Sequence, residues 1–98
     1  MSTAGLSLTK RAVADIVQIG NYVNALEPRA GDAWMNRLWD AFELLADMPE
    51  AGHSRPDLSP GLRAWTVGMT LIIYRPLKRG ARIIRVLDGR RDVANTWR

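Results

Sequence analysis

The spacing of apolar residues changes once along this chain, and that change limits the fold more than any single residue does. From Lys10 to Leu26, the residues Val13, Ile16, Val17, Ile19, Tyr22, Val23 and Leu26 recur at intervals of three and four, which predicts a helix with one broad buried face. Gly20 weakens this helix without ending it. Trp34, Leu38, Phe42 and Leu45 repeat the spacing up to Asp47-Met48-Pro49. Between the two segments stands Glu27-Pro28-Arg29, a break, since Pro28 offers no backbone N–H inside a helix but suits the first turn of the next. So short a connection predicts an antiparallel helical hairpin. Trp34 and Trp39 read as core or hairpin contacts, not ligand platforms.

Residues 49–61 have the proline, glycine and polar content of a loop, and beyond them the period becomes that of strands. Residues 62–67, 70–75 and 81–87 are short runs rich in β-branched, aromatic and aliphatic side chains, separated by Gly68-Met69 and by Pro76-Leu77-Lys78-Arg79-Gly80. Two consecutive hairpins are the simplest reading. At the other end Leu6-Ser7-Leu8 alternates as a strand does, and the Thr9 hydroxyl can cap the helix that follows. Gly89 releases the last strand into a short tail or helix. The expectation is a single α+β domain over residues 1–98, in which a short N-terminal strand and a helical hairpin pack on an antiparallel sheet in the order β-α-α-β-β-β.

Composition narrows the function. The 47% hydrophobic content and four tryptophans belong to a chain that folds, and the absence of cysteine removes disulfides and thiolate metal sites. The first five residues lack a signal-peptide pattern, and no apolar run approaches a membrane span, so a soluble, cytoplasmic protein is expected. Residues 1–52 carry four basic groups against seven acidic ones, whereas residues 53–98 carry ten basic groups against three. A second half so basic is suited to an anionic partner, either nucleic acid or an acidic protein segment.

Catalytic chemistry has little to work with. His53 is the only histidine, no cofactor or metal set is visible, and no glycine spacing fits a phosphate loop. Arginines on strands are the distinctive feature. With strict alternation, Arg82, Ile84 and Val86 share one face of the last strand while Ile83, Arg85 and Leu87 share the other, so at least one arginine is expected on an open face or margin near Arg63 and Arg75. Guanidinium groups in such a row offer planar, two-pronged donors to phosphate or carboxylate.

The string Gly61-Leu62-Arg63, then Gly68 leading into Ile72-Ile73-Tyr74-Arg75, then Ile83-Ile84-Arg85-Val86-Leu87-Asp88-Gly89-Arg90-Arg91-Asp92, resembles the C-terminal half of ParE/RelE toxins. The helical hairpin ending at Met48-Pro49 before Gly52 is similar to their N-terminal half, and the likeness is closest to the ParE branch. The resemblance implies the toxin of a type II toxin–antitoxin module, neutralised by a cognate, ParD-like antitoxin that covers apolar grooves and brings acidic residues to the basic half. ParE-like members inhibit DNA gyrase by binding, and the alternative is RelE-like cleavage of messenger RNA on the ribosome, or a non-toxic binding module. Arg63 and Arg91 stand at two basic positions of the RelE-like nucleases, but Gly61, Thr70 and Asp88 depart from their pattern. The ParE reading therefore assigns no catalytic residue. It places Arg63, Arg75, Arg85, Arg90 and Arg91 on the surface for target or antitoxin, with Trp97 as an apolar anchor.

Overall fold

The computed structural model describes residues 5–91 and 93–97; residues 1–4, Asp92, which closes the family-like string, and Arg98, one of the basic groups, lie outside the described residues. Strand β1 (Leu6–Leu8) leads to helices α1 (Lys10–Leu26) and α2 (Ala30–Asp47). Strands β2 (His53–Ser54), β3 (Arg63–Val67), β4 (Thr70–Leu77) and β5 (Gly80–Asp88) follow, then the single turn α3 (Val93–Thr96). The sheet runs β1-β5-β4-β3-β2. β1 lies parallel to β5 and every other pair is antiparallel, so the sheet is mixed, with a two-residue strand β2 that the loop composition had hidden.

Local chemistry sets the element ends. Thr9 caps α1 through its hydroxyl, which accepts from the Ala12 N–H at 3.0 Å and donates to the Ile84 carbonyl at 2.7 Å, tying the helix start to β5. Pro28 lies in the turn before α2, which begins only at Ala30, and Arg29 takes a left-handed φ of 71° to make the reversal. Asn24 of α1 accepts from the Gly31 N–H across that turn at 2.9 Å and satisfies one free donor of α2. The β3–β4 hairpin uses Gly68 at φ 58°, the left-handed first position for which a two-residue turn selects glycine. Pro76 extends β4 past the point where its pairing with β3 stops, at Tyr74, so its missing N–H costs no ladder bond on that side.

Both faces of the sheet are covered. Leu38, Phe42 and Leu45 of α2 and Ala12 and Ile16 of α1 pack on Ile72, Tyr74, Ile83 and Val86, with Trp39 set edge-on to Phe42 at 5.2 Å. On the opposite face, Leu58 and Leu62 of the preceding loop, together with Val93 and Trp97, close over Ile73, Ile84 and Leu87. The buried stripe of α1 is narrower than its sequence implies: Val13, Val17, Tyr22 and Leu26 are exposed, Leu26 at 70%. At about 100° per residue, Val13 and Val17 fall on one flank of that stripe and Tyr22 on the other, while Leu26 shares the stripe's angle but is the last residue of the helix.

Strict alternation also fails in β5. Tyr74 pairs with Ile83 and Ile73 with Arg85, which leaves Ile84 without a register partner as a bulge. As a result Ile83 and Val86 both reach the helix side while Ile84 and Leu87 reach the other. Arg85, paired with Ile73, belongs by register to the face away from the helices, but β1 stops pairing at Ile83, and there Asp15 of α1 receives the Arg85 Nε and Nη2 at 2.7 and 3.0 Å and also accepts the Val86 N–H at 3.0 Å. Both side chains are buried. Arg85, expected on an open row, is therefore an internal strut. Because removing one member of such a pair leaves a buried charge uncompensated, Asp15→Ala should destabilise the fold by about 3–5 kcal/mol, read as a lowered urea midpoint.

Candidate functional site: a basic-rimmed cleft at one end of the sheet

Arg85 also begins the description of the site, because its remaining amino group donates to the Trp97 carbonyl at 2.6 Å and fixes the segment after β5. That segment, the second half of α1, the start of α2 and the β3–β4 turn enclose a cleft of about 610 Å³. Tyr22 and Ile19 come from α1, Trp34 and Arg37 from α2, Met69 and Thr70 from the turn, and Asp88, Arg90 and Arg91 from the end of β5. Its floor is apolar and its rim cationic. Trp34 is positioned by its indole N–H, which donates to the Thr70 hydroxyl at 2.8 Å. Tyr22 and Met69 are left largely exposed, so apolar surface stands beside guanidinium groups.

Asp88 organises the rim. Its carboxylate accepts from the Arg90 backbone N–H at 3.0 Å and from the Arg90 guanidinium at 3.0 and 2.8 Å. The Arg90 side-chain bonds, then the backbone bond, hold the Asp88 carboxyl at about 2, well below its usual 3.8. The same pairing raises Arg90 above its ordinary value. Arg91, next along, is exposed and has no ion pair among the described residues.

The six residues singled out from sequence do not form one row. Arg85, Arg90 and Arg91 meet at the cleft. Trp97 lies half-buried against the second core, joined to the cleft through its carbonyl on Arg85. Arg63 sits at the far end of β3, where its guanidinium donates to the Gly52 carbonyl at 2.6 Å and meets Glu50 at 2.6 Å. There it staples the loop leaving α2. Tyr74 closes the same loop, its hydroxyl donating to the Pro49 carbonyl at 2.7 Å and accepting the Gly52 N–H at 2.8 Å; burial pushes this phenol above its usual range. A Cβ on Gly52 would lie 2.6 Å from that hydroxyl, which explains the glycine. Arg75 is exposed at the β4–β5 end and donates to the Pro60 carbonyl at 3.2 Å. Sequence reading missed Tyr22, Trp34, Arg37 and Met69 as cleft residues, since helical spacing had assigned the aromatics to the core.

Against this geometry, residues 6–93 match a family described as the ParE toxin of type II toxin–antitoxin system, parDE. The chain belongs to the ParE toxin family. Toxin ParE3 of Caulobacter vibrioides is 36% identical over 66 residues, a match spanning 67% of this chain and 66% of that toxin. A structure of the chromosomal ParDE toxin–antitoxin system from P. aeruginosa shares the fold, with a TM-score of 0.71 at 22% identity, covering 84% of this chain and 91% of that one. The ParE match thus extends from β1 to the start of α3 and takes in the cleft residues of α1, α2, the β3–β4 turn and the end of β5, with Thr96 beyond it. No helix of the described residues is long and apolar enough to cross a membrane.

The Asp88–Arg90 pair gives a titration test. A carboxyl with a lowered folded value contributes stability that is present above the unfolded value of 3.8 and lost as pH falls through about 2. Asp88 followed by NMR should titrate near 2, and Arg90→Gln should return it toward the ordinary carboxylate range.

Proposed function

We propose that this toxin acts by binding DNA gyrase in the cytoplasm, without making or breaking a bond itself, and that a ParD-like antitoxin holds it neutral. The observation that carries the reading is the cleft: Tyr22, Trp34 and Met69 offer apolar area and Arg37, Arg90 and Arg91 offer charge, the combination from which binding hot spots are built. In this reading Arg90 and Arg91 touch the target and Trp97 anchors the segment that carries them. Arg63 and Arg85 act from behind, by positioning the loop after α2 and the segment after β5.

The nuclease alternative has weaker support. Arg63 and Arg91, its two basic candidates, belong to opposite ends of β3: Arg63 opens that strand, and Arg91 follows Asp88, whose partner Thr70 pairs with the last residue, Val67. Four strand steps, about 13 Å, separate those ends. Thr70 is buried and committed to Trp34, and Asp88 presents a carboxylate where RNA phosphate would have to approach.

The antitoxin has a different place to bind. Between α1 and α2 runs a groove lined by Ile16, Val17, Gly20 and Met35, beside the exposed Val13. An amphipathic helix laid there would bury surface that this chain leaves in water. The two surfaces are separable by mutation. Purified toxin freed of antitoxin should inhibit supercoiling and accumulate cleaved plasmid with gyrase, and Arg90→Ala with Arg91→Ala should weaken this at least tenfold; unaffected gyrase in the presence of folded wild-type protein sinks the reading. Val17→Asp should leave gyrase inhibition intact while antitoxin affinity falls by about tenfold or more, measured by calorimetry.

A further inference from the structure

The positive charge of the second half is not spread evenly once its ion pairs are drawn. Arg55 is matched by Asp57, Arg63 by Glu50, Arg85 by Asp15 and Arg90 by Asp88. Residues 58–87 contain no Asp or Glu at all. Within that stretch Arg75, Lys78, Arg79 and Arg82 gather on the β4–β5 hairpin, all four exposed and none ion-paired among the described residues. Lys78-Arg79 form its two-residue turn, between Leu77 and its partner Gly80.

The hairpin holds this charge against a local cost. Arg75 and Arg82 are direct cross-strand partners, an arrangement that two cations disfavour when nothing anionic joins them. Each is steadied by a neutral acceptor instead: the Pro60 carbonyl takes Arg75 Nη1 at 3.2 Å, and the Ser7 hydroxyl takes Arg82 Nε in a long 3.4 Å contact. Neutral partners orient a guanidinium without cancelling its charge, and they leave its other donors available. β3 stops pairing with β4 at Tyr74, which leaves Arg75 past the end of that pairing, while on the other side β1 pairs with residues 81–83 and Gly5 lies against Arg79 and Gly80.

From this placement we propose that the β4–β5 hairpin end is a contact surface for the phosphate backbone of duplex DNA. Neither the cleft nor the α1–α2 groove reaches this hairpin, and among the described residues its one exposed large apolar side chain is Leu77, at 39%, which is less anchorage than an acidic protein segment would need beside the charge. A doubly stranded hairpin end with four exposed cations and no pocket matches a ligand recognised through charge and donors alone. The choice of DNA over RNA rests on the gyrase reading: a toxin bound to gyrase would lay the hairpin on the duplex that the enzyme holds.

The test is anisotropy of a short labelled DNA duplex titrated with the full, antitoxin-free chain at several salt concentrations. Binding should weaken with salt, and replacing Arg75, Lys78, Arg79 and Arg82 together by Gln should reduce the logarithmic salt slope by roughly 0.9 per lost contact and lower affinity at least tenfold at low salt. Lys10→Gln with Arg11→Gln, on exposed α1 positions elsewhere, should change little. The single Arg79→Glu variant, at the turn, should show the same direction of loss if the fourfold variant folds poorly by circular dichroism. Absence of duplex binding, equal losses in the α1 control, stronger binding to an RNA duplex, or displacement of DNA by polyglutamate at matched charge would each overturn the proposal. If wild-type protein leaves gyrase untouched while the hairpin variant loses duplex binding, the gyrase reading fails and this one stands. If gyrase is inhibited while duplex binding is absent or insensitive to the hairpin substitutions, the hairpin proposal fails and the gyrase reading stands.

Discussion

A buried carboxylate joins the two halves of this protein. Asp15 lies in the inward stripe of α1, where a charge is costly to bury, and it is tolerated because Arg85 meets it with two donors and the Val86 N–H adds a third. β1 stops pairing with β5 at Ile83, which leaves the Val86 N–H open to Asp15. By register Arg85 shares a face with Ile73, away from the helices. Instead the guanidinium comes in toward α1, and its other side takes the carbonyl of Trp97. One side-chain cluster therefore sets helix against sheet and also fixes the segment carrying the cleft's rim.

Much of the fold was legible because the two periodicities are unmixed. The bounds of α1, the Thr9 cap and both hairpins followed from apolar spacing and turn residues, and the order of elements placed the helices before the sheet. Val13, Val17, Tyr22 and Leu26 were misplaced for a physical reason: an apolar residue at helical spacing looks the same whether it meets its own core or waits for another chain. Arg85 was misplaced because the carboxylate that draws it in, Asp15, lies seventy residues away in the sequence. β2 was invisible because two residues, His53 and Ser54, carry no period.

The site was harder to read than the fold. Sequence gives the number of arginines but not which of them already have carboxylates beside them, and the partners here are local for Arg55 and Arg90 but far along the chain for Arg63 and Arg85. Charge pairing thus divides the arginines into struts, a rim and a hairpin. Family membership fixes the kind of protein, and the tertiary structure distributes its labour: apolar flanks on α1, a cleft past the end of β5, and a cationic ribbon at the opposite end of that strand.

The parallel pairing of β1 with β5 has a consequence in time. Leu6–Leu8 find their strand partner in residues 81–83, the Thr9 hydroxyl finds the Ile84 carbonyl, and Asp15 finds Arg85, each across roughly seventy positions or more. Contacts so distant in sequence close late, because the loop between them must first lose its entropy. During synthesis the early helices have no sheet to rest on until β5 has left the ribosome. The cleft is thus absent from the growing chain and forms only after β5 has been made.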